Sequence, residues 1–192
     1  MLKGAVPKSV IRDIEKRFLK DVQKASSIKN NQKRCDQIQY LRKRYVQKID
    51  LLLDQRTIGP HYLEEPEIAA LIKEQILKYD GQFYHLIAYT IMSNHFHMLI
   101  DTSIQLENNP SKSDKGQKYA TIDQITKLIF EETENEIASK VGRRGPIWEL
   151  KACDLMVTEG EMMMNVANYI LNNPVKKGLV TKAEDYGLSF MR

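Results

Sequence analysis

Apolar positions along this chain recur first at helical spacing and later at strand spacing. In residues 7–25, Val10, Ile14 and Phe18 return every fourth position behind Pro7, a residue suited to a helix start. Residues 30–55 give a second, highly charged helix with Ile38, Leu41, Tyr45, Ile49 and Leu52 as its apolar stripe. Gly59-Pro60 and Glu65-Pro66 interrupt the pattern. Ile68, Leu71, Ile72 and Ile76 then define a helix over 66–79 that stops near Asp80-Gly81. Beyond it the character changes. Phe83 to Met92 and His95 to Asp101 are rich in aromatic and branched residues, and Ser93-Asn94 between them predicts a tight hairpin turn, because Asn tolerates the left-handed conformation. Residues 103–118 are polar without a period and read as a loop. A helix follows over about 120–140, then a turn at Gly142 to Pro146, a strand over 147–157, a capping box at Thr158 to Glu161, and a helix running to Pro174.

Composition narrows the class without naming a function. The 192 residues suit one domain spanning 1–192, with 1–55 as a helical N-terminal extension packed on the rest and no repeat or linker to divide it. Apolar residues make up 42% and charged residues 28%, values of an ordinary globular protein. No apolar run approaches a membrane span and the N-terminus lacks the apolar core of a signal peptide, so no membrane association is expected. Cys35 and Cys153 fit no metal or redox spacing, and two free thiols in the cytoplasm is the expectation. A net charge of +4 and a pI near 8.9 permit nucleic-acid binding without establishing it.

The candidate chemistry starts with two histidines. Residues two apart on a strand share a face and lie roughly 6.5–7 Å apart along it. His95 and His97 therefore project together, with Phe96, Met98 and Ile100 directed to the opposite, core face. Two imidazoles so placed can reach one divalent ion; they can equally be two partly buried histidines on a sheet face. His61 and His85 lie outside the pair and receive no role. A two-histidine site leaves the ion under-coordinated, which calls for a third protein ligand.

The last predicted helix offers one. On a helical wheel Met163, Ala167, Ile170 and Leu171 form the buried stripe, while Asn165, Tyr169 and Asn173 recur every four residues on another face. A tyrosine flanked by amides is commonly structural. Combined with the histidines, however, the carboxamide oxygen of Asn173 suits a hard cation such as Mg²⁺ or Mn²⁺, and the phenol of Tyr169 one turn earlier would then lie near that ion.

These two segments carry a family resemblance. AYTIMSNHFHMLI (88–100) resembles the histidine–hydrophobic–histidine signature of the HUH single-strand DNA transposases, and YILNNPVKKGLV (169–180) is similar to the Tyr-Ile-x-x-Asn-Pro-Val-x-x-Gly segment of REP-associated tyrosine transposases. Gly59-Pro60, Pro66 to Ala69, the helix at 120–140 and Gly145 to Glu149 also look family-like, so the likeness covers about residues 56–190. Ser93 stands where the family more often has proline; serine is also a turn residue. The resemblance implies an α+β fold with a ferredoxin-like antiparallel sheet and packed helices. It implies that His95 and His97 hold the ion, that Asn173 completes its shell, and that Tyr169 is the nucleophile in cleavage and rejoining of single-stranded DNA at hairpin or palindromic elements, through a 5′-phosphotyrosine.

That chemistry is physically coherent. Ionising a phenol of ordinary pKa at neutral pH costs about 4 kcal/mol, and a metal ion at the phosphate offsets part of the barrier. Covalent attack divides one hard step into two reversible ones. Gripping a single strand needs backbone cations and aromatic platforms. Arg143, Arg144, Trp148, Lys176, Lys177 and the lysines of the 103–118 loop are candidates; each charge can equally be a solvated one, and Trp148 a core residue. Three other readings stay open: a replication initiator or relaxase-like nickase, a non-catalytic binder of DNA hairpins, and a plain metal-binding domain with zinc preference. In the family a Leu-x-Gly-x-x-Pro segment follows a strand of the central sheet, whereas Leu2 to Pro7 begins one residue after Met1. The resemblance thus implies either translation from an upstream start, or a sheet edge covered by dimerisation or by a terminal segment; monomer and homodimer are both expected possibilities.

Overall fold

The computed structural model describes residues 1–55, 59–107, 119–149, 153–157 and 160–192, the side chains of 106 and 107 excepted. The chain forms two compact units, one of Met1–Leu2, His61–Ala152 and Thr158–Arg192, the other of Lys3–Pro60 and Cys153–Val157.

The second unit is a helical hairpin. α1 (Lys8–Ser26) and α2 (Asn31–Gln55) pack on each other across a short turn. Pro7 precedes α1 as the sequence predicts, and the Asn30 side chain caps α2 by accepting the Lys33 N–H at 2.9 Å. The two apolar stripes meet in a stack of Phe18 on Tyr45, ring centroids 4.7 Å apart. Segment 153–157 is irregular here, and Asp154 pairs with Arg42 of α2 at 3.3 Å.

The first unit is α+β. Its sheet has three antiparallel strands in the order β2-β1-β3: β1 (His85–Ile91) pairs with β2 (Phe96–Asp101) and with β3 (Ser189–Met191). The helices are α3 (Pro66–Lys78), the single turn α4 (Ile104–Glu107), α5 (Ile122–Lys140), α6 (Gly160–Leu171) and the short α7 (Asn173–Lys176). Ile68, Ile72 and Ile76 of α3 are buried, as are Ile125, Ile129 and Ile137 of α5, so the apolar stripes of these two packed helices build a core. Tyr79 Oη donates to Glu132 of α5 at 2.6 Å and Lys78 pairs with the same carboxylate. Among the described residues no helix is long and apolar enough to cross a membrane.

Four expectations change. First, the described part of the predicted 147–157 strand, residues 147–149 and 153–157, forms no strand: Trp148 makes an isolated bridge with Leu2. Trp148 is fully buried, stacks on Phe130 with centroids 4.6 Å apart, and donates from Nε1 to Thr133 Oγ1 at 3.0 Å. That internal hydrogen bond lets an indole sit inside without an orphaned donor. Second, the hairpin turn uses no left-handed residue, since among the described residues positive φ occurs only at glycines. Instead the Leu2 N–H donates to Asn94 O (2.8 Å), the Leu63 N–H donates to Ser93 O (3.0 Å), and His61 Nδ1 bonds Ser93 Oγ (2.9 Å). Third, part of the predicted 103–118 loop is helical; Gln105 ties it to Phe83 O at 3.0 Å and to the Ala120 N–H at 2.7 Å. The rest of that loop, and the proposed capping-box residues 158–159, lie outside the described residues. Fourth, the final helix stops at Leu171, and Pro174 sits in the first turn of α7.

Candidate metal and nucleophile site

β2 alternates as its sequence predicts. Phe96 points to one side of the sheet, where its ring meets Phe130 and Trp148 at 6.2 and 5.9 Å. His97 points to the other side, towards α6, whose apolar Ala167 and Ile170 are buried. His97 is paired across the sheet with Thr90, and the neighbouring pair on that face is Ala88 with Leu99. Small side chains at 88 and 90 leave room for imidazoles and a helix above them. Met98 and Ile100 are only half-buried, whereas Leu99 on the histidine side is buried. β1 carries a bulge between Leu86 and Ala88.

His95 immediately precedes β2, yet it stays in register because the Met92 N–H donates to its carbonyl at 2.8 Å. The Nε2 atoms of His95 and His97 are 3.1 Å apart, with the rings nearly perpendicular. Two ligands at right angles, each about 2.1 Å from one ion, are about 3.0 Å apart, so this spacing fits a shared metal. Tautomer favours it too. Nδ1 of His95 lies 2.6 Å from Asn94 Oδ1, an acceptor, and so carries the ring proton. His95 Nε2 then carries the ring's lone pair, the form a ligand needs, and faces His97 Nε2. His95 and Asn94 are each 3% exposed, which fixes both orientations. The pair is thus able to hold a metal ion.

Tyr169 stands over His97, its ring edge-on with centroids 6.3 Å apart. The ammonium of Lys176 sits 3.8 Å from the Tyr169 ring centroid, a cation–π contact. The three predicted stripe residues run from solvent inward: Asn165 of α6 is exposed, Tyr169 of α6 half-buried and Asn173, at the start of α7, only 2% exposed. Neither Oδ1 nor Nδ2 of Asn173 has a hydrogen-bond partner. A buried amide without partners costs about 1–3 kcal/mol, a penalty that a bound ion would relieve. Beside this face an open cavity of about 380 Å³ is lined by Asn168, Tyr169, Asn172, Val175 and Lys176.

The segment after Tyr169 explains its own sequence. Pro174 starts α7 without needing an N–H, and Gly178 ends it at φ 68°. The Leu179 N–H then reaches Pro174 O and the Gly178 N–H reaches Val175 O, both at 2.9 Å, closing a Schellman cap.

The structure therefore brings His95, His97, Tyr169 and Lys176 together on one side of the sheet. Arg143 and Arg144 lie elsewhere, in the turn that follows α5, where the Arg143 N–H caps the helix by donating to Ala138 O at 3.0 Å. Lys177 is exposed at the end of α7. Trp148 is unavailable as a base-stacking platform, because no part of it reaches solvent. Two contributors escape sequence reasoning. Asn94 reads as a turn residue, although its place directly before the first histidine was a signal for a tautomer-setting acceptor. His61 gives no such signal, since its partner Ser93 is remote in sequence. No protein-family model, curated protein or solved structure matches the chain.

Proposed function

We propose that this protein is a metal-dependent single-strand DNA endonuclease and strand transferase of the HUH transposase type, built on a ferredoxin-like core. Its substrate is single-stranded DNA flanking hairpin or palindromic elements, and its role is transposition or recombination of that DNA. The observation that carries this reading is the stacking order on one sheet face: a metal-competent pair, His95 and His97, with the phenol-bearing residue Tyr169 set against the second of them.

In this reading His95, His97 and the orphaned amide of Asn173 would hold Mg²⁺ or Mn²⁺. A divalent ion held there would supply Lewis-acid stabilisation of the charge that develops on the scissile phosphate. Tyr169 Oη loses its proton and attacks phosphorus; the Oη–P bond forms and the P–O3′ bond breaks. The 3′ oxygen leaves and takes up a proton, while the phosphate stays attached to the 5′ side of the next nucleotide. The ester is conserved, so the reverse attack by a 3′-OH rejoins DNA without ATP. Lys176 holds the ring of Tyr169 and supplies positive charge beside the incoming phosphate.

The relaxase-like reading shares these residues, and no separate observation favours it. The test is a nicking assay on labelled single-stranded DNA carrying a hairpin, with Mg²⁺ or Mn²⁺ against EDTA. Metal-dependent cleavage with a protein–DNA adduct is expected. A hairpin bound tightly but never cut under any divalent metal would refute the proposal.

A further inference from the structure

The chain's charge is unevenly divided. Residues 1–60 hold fifteen lysines and arginines against six acidic residues, a net of +9, whereas residues 61–192 hold fourteen against nineteen, a net of −5. The mild overall charge of +4 hides this separation. Almost all of the excess lies in the helical hairpin, and the sheet unit with its candidate site is acidic on balance.

Within the hairpin the cations are ordered. Lys8, Arg12, Lys16, Lys20 and Lys24 recur at every fourth position of α1, all exposed. Each step advances about 6 Å along the axis, so the row extends roughly 24 Å. Its opposite face, with Phe18 on Tyr45, is used up in packing on α2. Among the described residues Arg12, Lys16 and Lys20 form no ion pair, and only Lys24 has a neighbour, Asp21 at 3.7 Å. The outward face of α2 continues the theme with Lys33, Arg44 and Lys48, Arg44 lying over the Tyr40 ring at 5.8 Å.

We infer that the outward face of α1 is a second nucleic-acid surface, which grips the phosphate backbone of a double-stranded DNA stem. Arg12, Lys16 and Lys20 step about 6 Å along the outward side of α1 and turn about 40° per step, a slanted row of cations that suits the winding phosphate backbone of a duplex. Single-strand binding would instead require several aromatic platforms for unstacked bases. The described residues of the hairpin expose one large aromatic side chain, Tyr40. That the stem belongs to the protein's own substrate rests on the proposed function; the surface itself rests on charge and helix geometry.

The experiment uses the full chain carrying Arg12→Gln, Lys16→Gln and Lys20→Gln, with a Lys16→Arg, Lys20→Arg variant as charge-preserving control. Fluorescence anisotropy follows binding of a labelled DNA hairpin and of an unstructured single strand, in EDTA, from 50 to 200 mM salt. Each lost phosphate contact should lower the slope of log K against log salt by about 0.9, so a drop of about 2–3 is expected on the hairpin. Hairpin affinity should fall at least tenfold with the control unaffected, and metal-dependent cleavage of the unstructured strand should be unchanged. An unchanged hairpin slope overturns the inference, as does an equal loss on hairpin and single strand. Loss of sedimentation with anionic phosphatidylglycerol vesicles but not of hairpin binding would assign the face to a lipid surface and overturn it too. Because binding is read without metal, stem binding through α1 by a protein that never cleaves would leave this inference standing and refute the proposed function.

Discussion

The ring of Tyr169 meets the ring of His97 edge to face, with centroids 6.3 Å apart. This single contact links the two segments that carry the candidate chemistry, one from β2 and one from α6. It exists because α6 lies on the sheet face opposite Phe96, so the alternation of β2 sends its histidine to the helix and its phenylalanine to the core. Exposure falls from Asn165 on α6, through half-buried Tyr169, to buried Asn173 at the start of α7.

Tyr169→Phe removes one oxygen from a half-buried side chain and should leave the melting temperature within a few degrees. The parent protein should form an SDS-resistant adduct with a labelled single strand, and this variant none. Tyr186→Phe should still form it. The Tyr186 hydroxyl already donates to Ile91 O at 2.8 Å, and burial, with Glu64 nearby, pushes its ionisation above the usual phenol range. An adduct that survives in Tyr169→Phe would assign the chemistry to another residue.

Replacing His95 or His97 by alanine removes half of the paired nitrogens. Cleavage should fall by at least about 100-fold, consistent with losing a phosphate-polarising ion. Hairpin binding measured in EDTA should be retained. Wild-type cleavage by the double variant would show that the pair is only a sheet-face contact.

Asn173 offers a test that does not depend on activity. Its amide is buried and unpartnered, so Asn173→Leu should stabilise the metal-free protein by roughly 1 kcal/mol or leave it unchanged. The same variant should gain much less melting temperature than the parent when Mn²⁺ is added. If Mn²⁺ stabilises both equally, Asn173 is no ligand.

Asn94 acts through His95, as a positioning residue. Asn94→Ala should reduce the population of the Nδ1–H tautomer of His95, read by nitrogen chemical shifts of the imidazole. Mn²⁺ affinity should weaken about 10- to 100-fold, the usual consequence of losing such a partner. Asn94→Asp keeps an acceptor and should retain the tautomer. Unchanged shifts and affinity in the alanine variant would leave Asn94 a turn residue alone.

Trp148→Phe tests the corrected role of the indole. It removes the bond to Thr133 and part of a buried ring, and should cost about 1–3 kcal/mol of stability. DNA affinity should stay within twofold of the parent. A large affinity loss in a stably folded variant would restore Trp148 as a contact residue.

The helices α1, α2, α3 and α5, the facing of His95 and His97, and the turn of chain carrying Tyr169 were legible from the sequence by itself. Each is a local periodicity, written every 3.6 or every two residues by the backbone's own geometry. Sequence also placed Asn173 one turn beyond the tyrosine, but not its depth or its lack of partners. What only the tertiary structure decided depends on residues far apart in the chain. Trp148 joins the core because Phe130 and Thr133 of α5 receive its ring and its N–H. The 93–94 turn needs no left-handed residue because Leu2, Leu63 and His61 hold it from outside. The short β3 exists because β1 has a free edge for Ser189–Met191 to pair with. Periodicity reports which face a residue takes on its own element; what stands opposite that face is set by packing and by the pairing of buried polar groups, which no local spacing encodes.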